Sequence, residues 1–201
     1  MTRQEALRGA LVIVGVAGLV LMVRQALPTP APQPAPTPTE PEPTPTPEGP
    51  SLLEQVQAVL SPLGQRIRNG LSPFEGAIQQ AAITFGLDQD LLRAVIWKES
   101  RGDPLAVRFE PKIPDTSCGL MQVLLGTARS LGFAGSVQDL LDPVTNIAVG
   151  TQYLRSRFDE YGDFRLAVAS YNSGSPIFRD GVLINEAYVQ DVQANLAALK
   201  G

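Results

Sequence analysis

From residue 51 onwards, apolar residues recur every three or four positions, which is the spacing of one face of an amphipathic helix. Capping residues, prolines and glycines separate the segments that carry this pattern. The predicted helices cover residues 51–60, 65–70, 73–85, 88–100, 127–131, 136–141, 143–160, 163–172 and 185–199. No convincing strand alternation is present, apart from one small hairpin expected near residues 107–118. The pattern therefore predicts a mainly α domain.

Several helix starts carry capping chemistry. Ser51 with Glu54 and Ser72 with Glu75 have the spacing of capping boxes, and Asp88 precedes the helix over 88–100. Ser61-Pro62 and Gly64 predict a break after the first helix. Three further polar residues are interpreted as helix-start residues: Thr127, Asp142 and Asn146.

A different pattern precedes this domain. Gly9 to Val23 is an almost wholly apolar run bordered by Arg8 and Arg24. Ala6, Leu7, Ala26 and Leu27 could extend this run towards the length of a membrane-spanning helix if both arginines reach the interface. We predict a single transmembrane anchor within residues 1–27, with a cleavable signal peptide as the alternative. Basic residues before the run favour a cytoplasmic amino terminus.

Residues 28–50 form a proline-rich linker. They hold 11 of the 18 prolines, alternating with Thr, Ala, Gln and Glu, and predict a polyproline II conformation. At about 3.1 Å per residue such a linker reaches roughly 70 Å. We interpret it as a stiff spacer; a ligand for an aromatic-grooved binding module is the alternative. The chain then divides into this linker, a helical lead-in over 51–72 and a helical domain over 73–201.

Composition narrows the chemistry. The chain has no histidine and one cysteine, which excludes Ser-His-Asp and Cys-His sites, His-ligated zinc and an intramolecular disulfide. Net charge is -4, without a block of like charge, so no nucleic-acid partner is expected. We expect no metal and no cofactor. Catalysis would rest on carboxylates, hydroxyls, amines or backbone groups.

One carboxylate occupies an unusual position. Leu92, Val95, Ile96 and Glu99 follow the spacing i, i+3, i+4, i+7, so Glu99 lies on the apolar face of its helix. Burial and the nearby helix C-terminus both raise the pKa of a carboxyl group. A carboxyl that stays protonated near neutral pH can act as a general acid. The alternative is a helix-end glutamate whose side chain points into water.

Five blocks of sequence follow one another in order, and the first begins with this glutamate. They are Glu99-Ser100-Arg101-Gly102-Asp103-Pro104, Ser117-Cys118-Gly119-Leu120-Met121-Gln122, Gly150-Thr151-x-Tyr153-Leu154, Ala169-Ser170-Tyr171-Asn172-Ser173-Gly174 and Tyr188-Val189-x-x-Val192. In this order they resemble the catalytic domain of the SLT-type lytic transglycosylases, which cut peptidoglycan and have a lysozyme-like fold. The resemblance covers about residues 73–199. Residues 107–116 have no firm counterpart in the family pattern.

The resemblance implies a role for each matching residue. Glu99 corresponds to the catalytic glutamate, which first protonates the glycosidic oxygen and then acts as a base. The residues expected to bind the sugar are Ser117, Met121, Gln122, Tyr171, Asn172 and Tyr188. Among them, Met121 would provide an apolar wall and Tyr188 would reach towards Glu99.

Structural alternatives exist for several of these residues. Met121 could fill the core, the Tyr171 hydroxyl could lie at the surface, and Tyr188 could serve packing alone. Tyr153, Trp97 and Cys118 are expected in the core.

The number of carboxylates bears on the mechanism. Hydrolytic glycosidases usually need two, whereas the resemblance implies one glutamate, help from the substrate's acetamido group and a 1,6-anhydro product. Asp103 and Asp115 are the acids considered for a second role. Asp103 lies in a Gly-Asp-Pro turn, which favours a structural role. If Asp115 faced Glu99, a hydrolytic muramidase would become credible.

Taken together, the resemblance implies a lytic transglycosylase tethered to the bacterial cytoplasmic membrane, with its catalytic domain on the periplasmic side. Its expected partners are peptidoglycan glycan strands and, through the N-terminal helix, the membrane. A hydrolytic muramidase and a non-catalytic wall-binding scaffold are the alternatives. A setting in a secretion apparatus or a virus particle would use the same chemistry.

Overall fold

The computed structural model describes residues 51–201. Helices dominate this part of the chain, as the sequence predicted. The helices are α1 (Leu52–Leu71), a 3-10 helix (Ser72–Phe74), α2 (Glu75–Phe85), α3 (Gln89–Ser100), α4 (Leu125–Ser130), α5 (Val137–Leu140), α6 (Pro143–Tyr161), α7 (Phe164–Ser173) and α8 (Glu186–Lys200). The strands are β1 (Val107–Glu110), β2 (Asp115–Cys118), β3 (Val123–Leu124), β4 (Phe178–Arg179) and β5 (Val182–Leu183).

The strands form two small antiparallel sheets. In the first, β2 lies between β1 and β3, and Val107 pairs with Cys118 while Glu110 pairs with Asp115. The predicted hairpin near residues 107–118 is therefore confirmed. The second sheet is the β4–β5 hairpin, which the sequence did not predict. Strands of two residues are too short for an alternating pattern.

Side-chain caps fix several helix starts. The carboxylates of Asp88, Asp142 and Asp163 accept hydrogen bonds from backbone amides in the first turns of α3, α6 and α7. Ser51 and Glu54 form the predicted reciprocal capping box of α1. These short-range signals explain why the starts of four helices were predictable.

The predicted break at Ser61-Pro62 and Gly64 is wrong, because α1 continues through both sites. Pro62 is exposed, so water can satisfy the backbone carbonyl that loses its helical partner. Gly64 is buried, and a Cβ atom there would lie 2.0 Å from the Ala198 carbonyl oxygen. The glycine therefore permits close contact between α1 and α8 and does not end the helix.

The predicted capping box at Ser72 is also wrong. Ser72 starts the 3-10 helix, and its hydroxyl donates to the Asn69 carbonyl at 2.9 Å. Glu75 forms an ion pair with the buried Arg93 and accepts a hydrogen bond from Gln89 at 2.9 Å. Its carboxylate therefore joins α2 to α3 and does not cap α2.

The core surrounds α3. Leu92, Val95 and Ile96 on α3 are fully buried, as are Val189 and Val192 on α8. Helix α3 packs against α8, α2 and α1. Each fully buried aliphatic side chain contributes about 1.5–3 kcal/mol to folding. This packing fixes the C-terminal end of α3, where Glu99 lies.

The predicted anchor in residues 1–27 and the linker over 28–50 lie outside the described residues. Within residues 51–201, no helix combines the length and the apolar character needed to cross a membrane.

Candidate active site

Glu99 lies in the last turn of α3. Leu92, Val95 and Ile96 on the same helix face are fully buried, and Glu99 itself is partly buried. The helix ends at Arg101, which adopts a left-handed conformation with φ of 58°. The predicted helix face is confirmed, and the carboxyl group lies where the core meets a cleft.

The surroundings of Glu99 change its acidity. Burial raises the pKa of Glu99 from its ordinary value of 4.5 to about 7, although the Tyr188 hydrogen bond and the charges of Lys98 and Arg108 oppose this shift. Burial therefore favours the protonated form of Glu99 near neutral pH. A protonated carboxyl group next to a cleft can donate a proton to a bound molecule.

The cleft beside Glu99 encloses about 350 Å³. Its lining is mixed, with carboxyl, guanidinium, hydroxyl, amide and aromatic groups. The lining residues are Glu99, Arg108, Glu110, Ile113, Ser117, Gln122, Val123, Leu124, Thr127, Tyr153, Tyr171, Asn172, Ser173 and Gly174. A cleft of this size can hold a small ligand, and its polar groups can form hydrogen bonds with that ligand.

Tyr188 holds the Glu99 carboxyl group in place. Its hydroxyl donates to Glu99 Oε1 at 2.5 Å, and its ring is buried beside Val189 on α8. Lys98 lies over the ring at 5.6 Å from the ring centre. Tyr188 therefore contacts the glutamate, which is more than the packing role that was the structural alternative.

The segment Gly119–Gln122 is held through its backbone, and its last residue, Gln122, lines the cleft. Asn146 is buried; its Oδ1 accepts from the Met121 amide at 2.8 Å, and its Nδ2 donates to the carbonyls of Cys118 and Leu140, each at 2.8 Å. Ser100 donates to the Leu120 carbonyl at 2.8 Å. The interpretation of Asn146 as a helix-start residue is therefore wrong, because its amide group positions this segment.

The Met121 side chain is fully buried and does not line the cleft. It packs against α6, where Thr151 donates to its sulfur at 3.8 Å. A Cβ atom at Gly150 would lie 2.6 Å from the same sulfur. The structure thus places Met121 in the core, in agreement with the structural alternative, and accounts for the glycine on α6.

Gly119 has a similar explanation. Its φ is +70°, and a Cβ atom there would lie 2.5 Å from Asn146 Nδ2. The left-handed conformation and the close approach of the amide both require glycine. The glycine therefore allows Asn146 to reach the backbone of the segment.

Tyr171 and Asn172 lie on α7 and also line the cleft. The Tyr171 hydroxyl donates to the Met121 carbonyl at 2.8 Å, and its ring packs against Tyr153 with 5.2 Å between ring centres. Asn172 is exposed, and its Oδ1 accepts from Asn185 at 3.1 Å. The Tyr171 hydroxyl is thus buried and bonded, in contrast to the surface position considered as an alternative.

Gln122 and Ser117 both line the cleft. Gln122 adopts a left-handed φ of 47°, and its Nε2 donates to the carbonyls of Ala106 and Gly119, each at 3.0 Å. Ser117 is buried, and its hydroxyl lies 3.5 Å from Glu110 Oε1. The Gln122 amide nitrogen therefore has intramolecular partners, which leaves its oxygen for a ligand.

The acids proposed for a second role do not line the cleft. Asp103 accepts from the Leu105 amide in its turn at 2.9 Å. Asp115 accepts from the Thr116 amide at 2.7 Å and from the Gly126 amide at 2.9 Å, which ties β2 to α4. Both carboxylates therefore have structural roles here.

Sequence reasoning missed several cleft residues. Arg108 and Glu110 lie on β1 within the segment that had no counterpart in the family pattern. Thr127 lines the cleft from within α4, which begins at Leu125 without a side-chain cap, so its interpretation as a helix-start residue is wrong. Tyr153 is partly buried and lines the cleft as well as packing on Tyr171. Arg108 and Glu110 are two residues apart, which places their side chains on the same face of a strand, and this spacing was the signal that could have identified them.

The comparisons with known proteins agree with this geometry. The family model described as the Transglycosylase SLT domain matches residues 76–188, which is more than half of the chain. The chain belongs to this family. The matched region of the SLT domain includes Glu99, the cleft lining and Tyr188.

Curated proteins include relatives of this SLT chain at more than 30% identity. "Membrane-bound lytic murein transglycosylase F" from Desulfosudis oleivorans is 38% identical over 123 residues, which are 58% of this chain and 25% of that protein. "X polypeptide" from Escherichia coli K12 is 36% identical over 121 residues, which are 58% of this chain and 69% of that protein. The chain thus spans only a quarter of the first relative.

Solved structures support the fold. The 70 kDa soluble lytic transglycosylase from Escherichia coli has a TM-score of 0.52 at 24% identity, covering 63% of this chain and 24% of that one. An inactive glutamate-to-glutamine mutant of lytic transglycosylase Slt from Pseudomonas aeruginosa has a TM-score of 0.51 at 25% identity, covering 60% and 23%. The described domain therefore has the SLT fold, as the sequence predicted.

Proposed function

We propose that this protein is a peptidoglycan lytic transglycosylase that cleaves the β-1,4 bond between MurNAc and GlcNAc. The observation that carries the proposal is the Glu99 carboxyl group, with its pKa raised to about 7 beside the cleft and its Oε1 bonded to Tyr188. Membership of the SLT family supports the same activity.

In the first step, Glu99 acts as the general acid. Tyr188 donates to Oε1, so Oε2 is the oxygen that would carry the proton to the glycosidic oxygen. As the bond from the anomeric carbon to that oxygen breaks, the MurNAc acetamido oxygen stabilises the positive charge that develops on the sugar. Protonation by a well-placed acid typically contributes about 100- to 10,000-fold to such a rate.

In the second step, Glu99 is a carboxylate and acts as the base. It takes the proton of the MurNAc C6 hydroxyl while that oxygen bonds to the anomeric carbon. The product is a 1,6-anhydro end, and no water is consumed. The Tyr188 hydrogen bond and the charges of Lys98 and Arg108 favour the carboxylate form, which suits this step.

The cleft walls would bind the glycan strand. Asn172 is exposed at the cleft, and the Gln122 amide oxygen is available for a sugar hydroxyl or an acetamido N–H. Ser117 and the ring of Tyr171 line the same space. We assign these four residues to substrate binding and Tyr188 to positioning of Glu99, while Met121 supports the wall from the core.

Membrane attachment is a further part of the proposal. The apolar run Gly9 to Val23 and the proline-rich linker would hold the domain outside the cytoplasmic membrane. The name of the Desulfosudis relative, a membrane-bound lytic transglycosylase, supports this arrangement. Proteinase treatment of intact spheroplasts should remove the catalytic domain; full protection would contradict the proposed topology.

The activity test uses the full chain and purified peptidoglycan. Mass spectrometry of the released fragments should show 1,6-anhydro ends, which are one water lighter than reducing ends. Fragments with reducing ends alone would favour a hydrolytic muramidase. Binding without any release would favour a non-catalytic scaffold. Either of these results would reject the proposed activity.

A further inference from the structure

The cleft lining contains a second glutamate, Glu110, which lies on strand β1, whereas Glu99 lies on helix α3. Strand β1 places Arg108 and Glu110 two residues apart, so both side chains share one face of the hairpin. Ser117 pairs with Arg108 across the ladder and lies on the same face. All three residues line the cleft together with Glu99.

Glu110 differs from Glu99 in its surroundings. Its carboxylate forms an ion pair with Arg108, whose Nε and Nη2 both lie 2.5 Å from Oε1. The Ser117 hydroxyl, at 3.5 Å, also approaches Oε1. Within the described residues every one of these contacts ends on the same oxygen. Oε2 therefore remains to accept a proton from a molecule in the cleft.

The two glutamates thus have complementary states. Glu99 is a partly buried acid bonded to a phenol, and Glu110 is a carboxylate paired with a guanidinium. Hydrolytic glycosidases combine a protonated carboxyl with an ionised one across the scissile bond. The transglycosylase reaction, by contrast, uses one glutamate, which acts first as the acid and then as the base. The cleft has one carboxylate more than that reaction requires.

We propose that Glu110 activates water and gives this site a second, hydrolytic outcome. The inference rests on the proposed function, since it concerns the same bond in the same cleft. Glu99 transfers its proton to the leaving oxygen, and the oxygen of water bonds to the anomeric carbon while Glu110 Oε2 takes a proton from that water. One water is consumed, and the new end is a reducing sugar. Water and the C6 hydroxyl compete for the anomeric carbon.

The hairpin geometry supports this competition. The side chain of Arg108 is 74% exposed and that of Glu110 is 25% exposed, so the carboxylate is more enclosed than its partner but still reaches solvent. Arg108 also contacts only Oε1, so the ion pair orients the carboxylate without covering it. A base held in this way can act on a water molecule that enters from solvent.

The test is digestion of purified peptidoglycan by the full-length protein in water enriched in heavy oxygen. Mass spectrometry then counts 1,6-anhydro ends and reducing ends that carry the label. The wild-type protein should produce both. Glu110→Gln should lower labelled reducing ends by about 100-fold, the scale of general-base catalysis, while anhydro ends persist.

Glu186→Gln is the matched control. Glu186 also pairs with an arginine, Arg165, and its side chain is 28% exposed, but it lies outside the cleft lining. This variant should keep the wild-type ratio of the two ends. Thermal unfolding monitored by circular dichroism checks that both variants remain folded.

The outcomes separate the two proposals. Anhydro ends alone from the wild-type protein would overturn the hydrolytic role of Glu110 and leave the transglycosylase activity intact. An unchanged ratio in folded Glu110→Gln would also overturn it. A complete absence of anhydro ends would instead reject the proposed function.

Discussion

Glu99 and Glu110 line the same cleft, but one lies at the end of a buried helix and the other on an exposed hairpin. On the helical wall, burial raises the pKa of Glu99 to about 7. On the hairpin wall, an ion pair with Arg108 keeps the charge of Glu110 balanced. The same type of side chain is thus a buried group bonded to Tyr188 in one place and half of an ion pair with Arg108 in the other. The difference comes from the neighbours that each secondary structure element supplies.

Replacement of the helical glutamate should give the largest effect. Glu99→Gln cannot donate a proton, so the release of anhydro ends should fall by about 1,000-fold, within the range of general-acid catalysis. The rate is measured by fragment release from purified peptidoglycan. Activity within about threefold of wild type would contradict the catalytic role of Glu99. It would also contradict the proposed difference between the two glutamates.

The same variant should be more stable at alkaline pH. The pKa of Glu99 is about 7 in the folded chain and close to 4.5 when unfolded, so the folded state holds more protons between these values. The free energy of unfolding therefore decreases as pH rises from about 4.5 to 7. Glu99→Gln removes this loss, worth about 3 kcal/mol at pH 8. Urea denaturation should give equal free energies of unfolding for the wild-type protein and Glu99→Gln at pH 4, and a higher value for Glu99→Gln at pH 8.

Asn146 bridges the backbone of the segment before β3 to the end of α5. Asn146→Ala removes three buried hydrogen bonds and leaves backbone groups of Met121, Cys118 and Leu140 without partners. The free energy of unfolding should fall by about 3 kcal/mol. Asn69→Ala is the control, because Asn69 is exposed on α1. This replacement should lower the free energy of unfolding by less than about 0.5 kcal/mol. Equal effects would contradict the bridging role.

A smaller effect is expected from the residue that holds Glu99. Tyr188→Phe keeps the ring but loses the hydroxyl that donates to Glu99 Oε1. The rate should fall roughly 5- to 10-fold, the equivalent of one hydrogen bond. Because this hydrogen bond lowers the pKa of Glu99, its loss should raise that pKa further. The decline in activity on the alkaline side should therefore move to higher pH.

Tyr161→Phe provides the comparison, since Tyr161 lies at the end of α6 and outside the cleft lining. A merely structural role of Tyr188 would lower the rate without moving the pH profile. An unchanged pH profile of activity in a folded Tyr188→Phe protein would thus contradict a direct effect of the Tyr188 hydrogen bond on Glu99.

The helical wall was predictable because its signals are local. The spacing of Leu92, Val95 and Glu99 identified the buried face, and Asp88 identified the helix start. The ordered family blocks identified Glu99 and Tyr188 as partners 89 residues apart. Composition and periodicity alone could have identified Glu99, but not its contact with Tyr188.

The hairpin wall was not predictable to the same degree. The hairpin itself was expected, but which residues of β1 face the cleft depends on its register with β2 and on the packing of both strands. The roles of Asn146 and Gly64 depend likewise on contacts between distant segments. Their local sequence resembles a helix start and a helix end, and tertiary packing overrides both signals.

Burial is expected to raise the pKa of Glu99 to near neutral, and this pKa can be measured directly. The carboxyl carbon of Glu99 can be followed by NMR in protein labelled at glutamate and assigned by its absence in Glu99→Gln. The chemical shift should titrate with a midpoint of about 7. A midpoint near the ordinary value of 4.5 would contradict the account.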